Sequence, residues 1–451
     1  MSVTIKNKDI VIFIFTRDLR FHDNTGFNYA LKNYHKVIPI FFMTETQISK
    51  SNKYRSELAI LFMKKILNTL QNKINLFYVK DENASAKILS KIVSDYHVNG
   101  VIINRDYSPF AIARESKLEE FCKTRDLQFY KFHDHLLTSD FIMNKATGDS
   151  YKKFTPFYSK VLKESVRKPS TQIQLVKLVR LSAGKYNLPT KYNLPAKYNL
   201  LKVSVNTNVD LTSKKITYSI KNYKNRKEFP SVPGTKLSVY LHFGVISIRE
   251  LYYKFKGTKD FIRSLVWRDF YYTYYYNKKD ILNQGEYHLD FKWGSVRAFL
   301  TKWKSGKTGF PIVDAGMREL NETGFMHNRV RMIVASFLVK DLLINWKEGE
   351  KYFSQKLQDI DRVINTGNWQ NVIGIAKHSQ PYFRVLNPWL QSKKYDKNCE
   401  YIKKWVPELS PVSNKDIHNW NETRIKYPSI YLKPIIDHDT SKRNYLKLIK
   451  N

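Results

Sequence analysis

The second half of the sequence holds several side chains whose type and spacing could do chemistry. In the run MHNRVRM, Asn328, Arg331 and Met332 stand three and four residues apart, so one face of a helix would carry all three. An arginine in such a helix more often forms an ion pair, and the spacing alone leaves both roles open. Taken alone, Asp359 and Asp361 are ordinary polar groups of a loop.

Tryptophan is a second source of chemistry, because indole can be oxidised and indoles held close together can pass an electron in short steps. The sequence contains 8 tryptophans, most of them in the second half. From sequence alone, a buried structural role is the better interpretation of each one. A function for any of them therefore depends on the motif around it.

Common catalytic templates are missing from the sequence. SGKTG at 305–309 resembles a phosphate-binding loop, but that motif needs a glycine five residues before Gly306, where Thr301 stands. The sequence has neither a G-x-S-x-G nucleophile motif nor an H-E-x-x-H zinc motif. His133 and His135 form an isolated pair. These features disfavour hydrolases and metalloenzymes, and we expect no bound metal.

Two kinds of periodicity divide the chain. Over residues 1–140, apolar runs such as IVIFIF alternate with amphipathic segments, which predicts an α/β domain with a doubly wound parallel sheet. Over 141–230 the pattern degrades, and a KYNLP-type repeat within 185–202 predicts an exposed basic interdomain linker. Over 231–451, apolar residues recur at spacings of three and four, which predicts an all-helical domain.

Charge is the strongest compositional signal. Lys and Arg number 77 against 40 Asp and Glu, a net charge of +37, which favours a polyanionic partner such as DNA. A lysine-rich composition without a binding role is the alternative. Cys122 and Cys399 are too few for a disulfide framework. With neither a signal peptide nor a membrane-length apolar run, we expect an intracellular protein, cytoplasmic or nuclear.

Several motifs together resemble one family. They are FTRDLRFHDN near the start, GTKLSVYLHFGVIS, SLVWRDFYY, the long block GFPIVDAGMRELNETGFMHNRVRMIVASFLVKDLL, DIDRVINTGNWQ and PYFRVLNPWLQSKKYD. In these segments the chain is similar to class I DNA photolyases and the related cryptochromes. The resemblance implies an N-terminal antenna-type α/β domain, a linker, and a C-terminal helical domain that binds FAD and DNA.

Carried over residue by residue, the resemblance implies a set of FAD contacts. Thr235 and Ser238 match flavin phosphate contacts, although Ser238 could instead cap a helix. Asn365 matches the amide that faces flavin N5, where it can hydrogen-bond to the ring. The remaining implied cofactor contacts are Tyr223, Asn328, Arg331, Asp359 and Asp361.

The same motifs imply electron-transfer and lesion-binding residues. Trp369, Trp346 and Trp293 match a chain that carries electrons from the surface to the flavin. Trp267 matches the aromatic that stacks on a flipped-out pyrimidine dimer. Ser264 and Asn371 stand where dimer-repairing members have an acidic residue and a second tryptophan. The implied DNA and lesion contacts are Trp267, Arg268, Lys227, Ser264, Met332 and Asn371.

These residues predict a deoxyribodipyrimidine photolyase, a carbon–carbon lyase that uses light to split cyclobutane pyrimidine dimers in UV-damaged DNA. The charge and the MHNRVRM run favour repair, whereas Ser264 and Asn371 favour a changed or lost activity. A cryptochrome-type photoreceptor and a photolyase for the (6-4) product are the alternatives. An antenna chromophore (folate or deazaflavin) is possible, its identity is open, and we expect a monomer.

Overall fold

The computed structural model describes residues 9–170, 175–186, 209–276, 278–287, 297–381 and 383–449. The chain groups into two compact units. Unit 1 comprises Met1–Tyr151, Thr155–Asp210 and Leu237–Tyr276, and unit 2 comprises Lys152–Phe154, Leu211–Lys236 and Asn277–Asn451.

Unit 1 is built on a five-stranded parallel sheet. Its strands pair in the order β3-β2-β1-β4-β5. The first four strands are mostly buried apolar runs such as IVIFIF, as expected for a sheet covered on both faces. The strands are β1 (Ile10–Phe15), β2 (Lys36–Thr44), β3 (Asn75–Val79), β4 (Val98–Asn104) and β5 (Gln128–Phe132).

Helices connect the strands and begin at residues suited to a helix start. Asn24, Ser56, Asp81 and Ser108 each accept a backbone N–H of the first turn of the helix that follows. The helices of this part are α1 (Thr25–Asn33), α2 (Glu45–Ile48), α3 (Glu57–Leu70), α4 (Glu82–Tyr96), α5 (Pro109–Lys123), α6 (Phe154–Val161) and α7 (Ala183–Tyr186). The predicted alternation of strand and helix is confirmed.

Three later helices complete unit 1, and a buried ionic cluster joins one of them, α11 (Ile248–Phe255), through Arg249 to the loops that follow β1 and β5. Arg249 donates from Nε to Asp23 Oδ2 and from Nη2 to Asp134 Oδ1, both at 2.8 Å. Arg20 Nη2 lies 2.6 Å from the other oxygen of Asp134. These three helices of unit 1 are α10 (Ser238–His242), α11 (Ile248–Phe255) and α12 (Lys259–Tyr275).

Unit 2 is helical in the residues that the structure describes. Its main core is apolar and aromatic and is formed by α14 to α20 together with the segments that follow. A π-helix at Phe337–Asp341 continues α16. The helices are α8 (Lys214–Lys221), α9 (Tyr223–Arg226), α13 (Lys279–Gln284), α14 (Arg297–Ser305), α15 (Pro311–Thr323), α16 (Asn328–Ser336), α17 (Trp346–Lys356), α18 (Arg362–Ile373), α19 (Pro388–Tyr395), α20 (Glu400–Trp405), α21 (Asn414–His418), α22 (Trp420–Thr423) and α23 (His438–Leu448).

The grouping into units differs from the predicted division at 140 and 230, which stays a prediction about domains. Leu237–Tyr276 lies in unit 1, where Arg249 pairs with Asp23 and Asp134 and Asp269 accepts the N–H of Leu137. The KYNLP repeat falls largely outside the described residues. Among those described, every helix is too short or too polar to cross a membrane.

Candidate functional site

An ion pair joins α16 to the loop before α18. Arg331 Nη2 lies 3.0 Å from Asp359 Oδ2 and 3.1 Å from Oδ1, and Arg331 Nε donates to the carbonyl of Met326 at 2.8 Å. The Arg331 side chain is 25% exposed. The two predicted cofactor contacts therefore lie side by side, with charged groups still within reach of a ligand.

Asp361 and Asn365 open helix α18. Asp361 is the N-cap, and its Oδ1 accepts the N–H of Ile364 at 3.0 Å. Asn365, 9% exposed, donates from Nδ2 to the carbonyl of Glu350 at 3.1 Å and to Ser354 Oγ at 3.2 Å. Within the described part of the chain, no group donates to the Asn365 amide oxygen, which leaves this oxygen available to a ligand N–H.

Glu350 is a buried acid beside Asn365 that the sequence reading missed. Its carboxylate accepts the hydroxyl of Thr366 at 3.0 Å. Burial raises the pKa of Glu350, which Arg362 and Thr366 only partly counteract. The one available signal was its spacing, four residues after Trp346 on the same helix.

Trp369 is packed among other aromatic rings. It meets Phe353 at a centroid distance of 5.1 Å and Trp303 at 6.5 Å, both edge to face. Helix α17 passes against the indole at Gly349, where an added Cβ would lie 2.1 Å from Trp369 Cη2. Glycine at this position therefore permits the close approach.

Of the other two predicted tryptophans, only Trp346 lies among the described residues. Trp346 begins α17 and is buried in the same core as Trp369. Trp293 lies outside the described residues. Trp303, which the sequence reading did not select, is the indole in ring contact with Trp369.

Three predicted residues of unit 2 lie on α16 and α18: the cofactor contact Asn328 and the lesion contacts Met332 and Asn371. Asn328 is exposed at the first position of α16, and Met332 is half-buried one turn later. Asn371 is half-buried, and its Oδ1 accepts the N–H of Gln380 at 3.1 Å. Asn371 thus already anchors the chain that follows α18.

The remaining predicted cofactor contacts, and the predicted lesion contact Lys227, lie on short segments. Tyr223 begins α9, and Lys227 follows that helix; both are half-buried in unit 2, as is Thr235. Ser238, in unit 1, is the first residue of α10, and Leu237 is the N-cap. The alternative that Ser238 caps the helix is therefore wrong by one position, and the Ser238 side chain is exposed.

Trp267, Arg268 and Ser264 share helix α12 in unit 1. Trp267 is half-buried, with Phe270 and Tyr271 at 5.5 and 5.7 Å. Arg268 donates to the carbonyl of His135, and Ser264 Oγ donates to its own helix at the Phe261 carbonyl, 2.6 Å away. Arg268 is therefore used within unit 1, and its contact with DNA stays a prediction.

Unit 1 contains a cavity of ≈ 70 Å³ where β1 and β2 end and α4 and α5 begin. Carboxyl ends of parallel strands are the usual ligand position in such sheets. Two charged residues face it: Glu82, whose buried Oε1 has no hydrogen-bond partner among the described residues, and Arg114, whose guanidinium lies 5.9 Å from the centre of the Phe110 ring. The apolar lining comes chiefly from Phe15, Phe42, Leu89, Phe110, Leu118 and Phe121.

The segment at 305–309 is structural. The carboxylate of Asp314 accepts the N–H of Thr308 at 2.7 Å, the hydroxyl of Thr308 at 2.6 Å and the N–H of Gly309 at 3.0 Å. These donors are therefore occupied by a protein acid, as the failed motif predicts. Within the described ranges, no three His, Cys, Asp or Glu side chains cluster as metal ligands.

The comparisons with known proteins converge on one family. The model described as "DNA photolyase" matches residues 11–174, and the model described as "FAD binding domain of DNA photolyase" matches residues 261–451. The deoxyribodipyrimidine photo-lyase of Alkalihalophilus pseudofirmus is 32% identical, over 97% of each chain. The chain belongs to the DNA photolyase family. The deoxyribodipyrimidine photo-lyase of Escherichia coli is 31% identical to this chain, over 95% of this chain and 96% of its own length.

Solved structures agree. A photolyase from Sulfolobus tokodaii with two FAD molecules has a TM-score of 0.80 and 34% identity, covering 98% of this chain and all of its own. A class III photolyase from Agrobacterium tumefaciens has a TM-score of 0.84 and 27% identity, covering 99% and 98%. A Synechocystis cryptochrome, 23% identical with a TM-score of 0.82, supports the fold alone.

These findings confirm the predicted photolyase family, its fold class and FAD as the cofactor. The residues in place fit that cofactor, because the cationic Arg331, the carboxylates of Asp359 and Asp361 and the open amide oxygen of Asn365 together offer both charge signs and a neutral acceptor. The individual cofactor and lesion contacts stay predictions.

Proposed function

We propose that this photolyase is of class I and uses light to repair cyclobutane pyrimidine dimers in DNA. The observation that carries the proposal is the single cluster in unit 2 that holds the Arg331–Asp359 pair, the open amide oxygen of Asn365 and the buried Trp369. FAD, when bound and reduced, supplies the electron that splits the dimer and takes it back afterwards.

The protein holds and tunes the cofactor in this proposal. Arg331 neutralises negative charge and Asp359 holds the guanidinium in place. Asn365 accepts an N–H at the reactive edge of the flavin, because its own amide nitrogen is fixed by Glu350 and Ser354. Trp369 supplies electrons that bring the cofactor to its reduced state.

We further propose that UV-damaged DNA is the partner and that one chain acts alone. The net charge of +37 favours capture of the phosphate backbone, with a strong dependence on salt. Trp267 presents a half-buried indole as a stacking surface for an extruded base. Lys227 and Asn328 are further candidate contacts.

A (6-4) product is the second candidate lesion, favoured by two polar residues. Asn371 and Ser264 both place polar groups where an aromatic and an acidic residue are expected for dimers, and both are held by hydrogen bonds to the backbone. A signalling role without repair is the third candidate. The lesion assay below separates all three.

We propose that the cavity of unit 1 holds the antenna chromophore. Its phenylalanines suit a flat conjugated ring, the Arg114 guanidinium can donate to the ring's polar edge, and Glu82 Oε1 can accept from it. The volume of ≈ 70 Å³ holds about five water molecules, so a tricyclic ring needs Phe110, 40% exposed at the cavity, to move.

The decisive experiment illuminates the purified, reduced protein with oligonucleotides that carry one defined lesion. Repair of cyclobutane dimers with no turnover of the (6-4) product supports the proposal, and the reverse result assigns the second candidate. Binding of FAD with no repair of either lesion assigns the photoreceptor. Reconstitution of an Arg114→Met variant with folate or deazaflavin, followed by its absorption spectrum, tests the antenna site.

A further inference from the structure

Trp303 extends the aromatic contacts of Trp369 towards α14. It is fully buried, and its Nε1–H donates to the carbonyl of Val334 at 3.0 Å, which fixes the ring. The two indoles meet edge to face with centroids 6.5 Å apart, inside the range of about 4.5–7 Å for aromatic rings in contact. Trp303 is therefore as close a neighbour as an electron donor to Trp369 needs.

Tyr352 continues the same series outward. Its ring centroid lies 5.9 Å from that of Trp303, and the side chain is half-buried. The hydroxyl has two acceptors within hydrogen-bond distance, Asn321 Oδ1 at 2.5 Å and the carbonyl of Lys304 at 3.1 Å, and its one hydrogen can point to either. Three oxidisable rings thus follow one another from the core to the solvent.

The predicted donor Trp346 lacks this continuity. It is buried on α17, yet among the described residues no aromatic ring contacts it. Phe353 lies parallel to Trp303 at a centroid distance of 6.3 Å and packs edge to face against Trp369, so it contacts both indoles. A phenylalanine ring is not easily oxidised itself.

We propose that Tyr352 is the terminal electron donor of a second route, through Trp303, to Trp369. The inference rests on the proposed function, in which Trp369 gives up an electron in the light. An electron from Trp303 refills Trp369, and an electron from Tyr352 refills Trp303. The phenol O–H bond then breaks, its proton goes to water at the surface, and an added thiol restores Tyr352 by giving up a hydrogen atom.

Two lysines explain why the proton must leave. The ammonium groups of Lys304 and Lys356 lie 5.4 and 5.6 Å from the centre of the Tyr352 ring. They disfavour a positive charge on that ring, so oxidation of Tyr352 is favourable only together with loss of the proton. The rate of this step should therefore slow in D₂O.

The test measures photoreduction of oxidised FAD in the holoenzyme, by loss of its visible absorption under light with a thiol present. Trp346→Phe should keep a substantial part of the rate, and the double variant Trp346→Phe/Tyr352→Phe should lose at least tenfold more. Tyr427→Phe, added to Trp346→Phe, is the matched control, because Tyr427 also stacks on a buried tryptophan, Trp420, at 6.0 Å.

Electron paramagnetic resonance provides a readout that a structural role would not change. The illuminated Trp346→Phe protein should show a neutral tyrosyl radical whose spectrum narrows with ring-deuterated tyrosine and which Tyr352→Phe removes. If the double variant equals Trp346→Phe in rate and radical yield, the assignment of Tyr352 is wrong. Unchanged photoreduction in Trp369→Phe would instead overturn the electron chain of the proposed function.

Discussion

The buried ionic cluster of unit 1 and the cofactor cluster of unit 2 both contain arginine and aspartate side chains, but they differ in how many of their polar groups are occupied by protein partners. In unit 1, both oxygens of Asp23 and both oxygens of Asp134 accept hydrogen bonds from the protein. In unit 2, Arg331 is a quarter exposed and the amide oxygen of Asn365 has no donor in the described residues. The carboxylates of unit 1 are saturated by protein donors, which fixes the fold, whereas an acceptor without a protein donor leaves room for a ligand.

The largest expected effect comes from breaking the saturated network. Arg249→Met leaves Asp23 and Asp134 buried with less compensation and should cost about 3–5 kcal/mol of unfolding free energy, measured by denaturant titration. Arg167→Met is the control: Arg167 also pairs with Asp23, at 2.7 Å, but is 41% exposed and should cost under about 1 kcal/mol. Equal losses would contradict the distinction.

One acid of unit 1 departs from this saturation, and its pH dependence should reveal that. Asp269 Oδ2 accepts the N–H of Leu137 at 2.6 Å, whereas the buried Oδ1 accepts no hydrogen bond from the described residues and has the Arg268 guanidinium 3.5 Å away. Burial outweighs these contacts and raises the pKa of Asp269 to about 7. The unfolded chain releases this proton near pH 4. Its contribution to stability is therefore full below about pH 4 and is lost as pH rises to about 7.

Asp269→Asn should remove that loss. The unfolding free energy of the variant, relative to the parent protein, should rise by about 2–4 kcal/mol between pH 4 and pH 8. Chemical denaturation at a series of pH values measures it, and the parent protein at pH 4 serves as the internal reference. Parallel pH profiles for the two proteins would mean that Asp269 is ionised in the fold.

The cofactor cluster should lose binding before it loses stability. Asp359→Asn removes the charge that holds Arg331 and should weaken FAD binding to the apoprotein by about 10–100-fold, since a hydrogen bond to a charged group contributes about 1.5–3 kcal/mol. Quenching of flavin fluorescence measures it. Glu408→Gln disrupts the comparable Arg318 pair elsewhere in unit 2 and should leave FAD affinity unchanged.

The smallest expected effect is on binding to dimer-containing DNA, and it tests which lesion the protein recognises. Asn371→Trp supplies an aromatic face, and stacking on it contributes about 1–3 kcal/mol of binding free energy per base. The variant also loses the oxygen that accepts the Gln380 N–H, which costs about 1 kcal/mol. Binding to dimer-containing DNA should tighten about tenfold, with no change on undamaged DNA. Asn371→Leu, which loses the acceptor without gaining the face, should not tighten it. Loss of activity on (6-4) DNA alone would favour the second candidate.

The sequence predicts the elements well because periodicity is a local property. The alternation up to residue 140 and the helical spacing after 231 both appear in the structure, since buried strands and amphipathic helices carry their patterns within a few residues. The assignment of α10–α12 to unit 1 could not be read, because it depends on Arg249 meeting Asp23, 226 positions away in the chain.

The site was predictable where a motif carried it. Arg331, Asp359, Asp361 and Asn365 were selected as cofactor contacts through their motifs. The structure adds that Arg331 pairs with Asp359 and that Asp361 caps the helix carrying Asn365. Glu350 and Trp303 were missed, because a buried acid and a ring contact arise from packing between helices. Trp303 stands just before the segment at 305–309, which was considered only for its likeness to a phosphate-binding loop.

The separation of Arg249 from its partners also bears on synthesis at the ribosome. Asp134 emerges 115 positions before Arg249 (249 minus 134), which is about 6–23 s at 5–20 residues per second. During that interval all five strands are already outside, while Asp23 and Asp134 lack their shared arginine. The nascent sheet therefore passes through a period in which it attracts water or stray cations, and slow translation across 237–249 would prolong it.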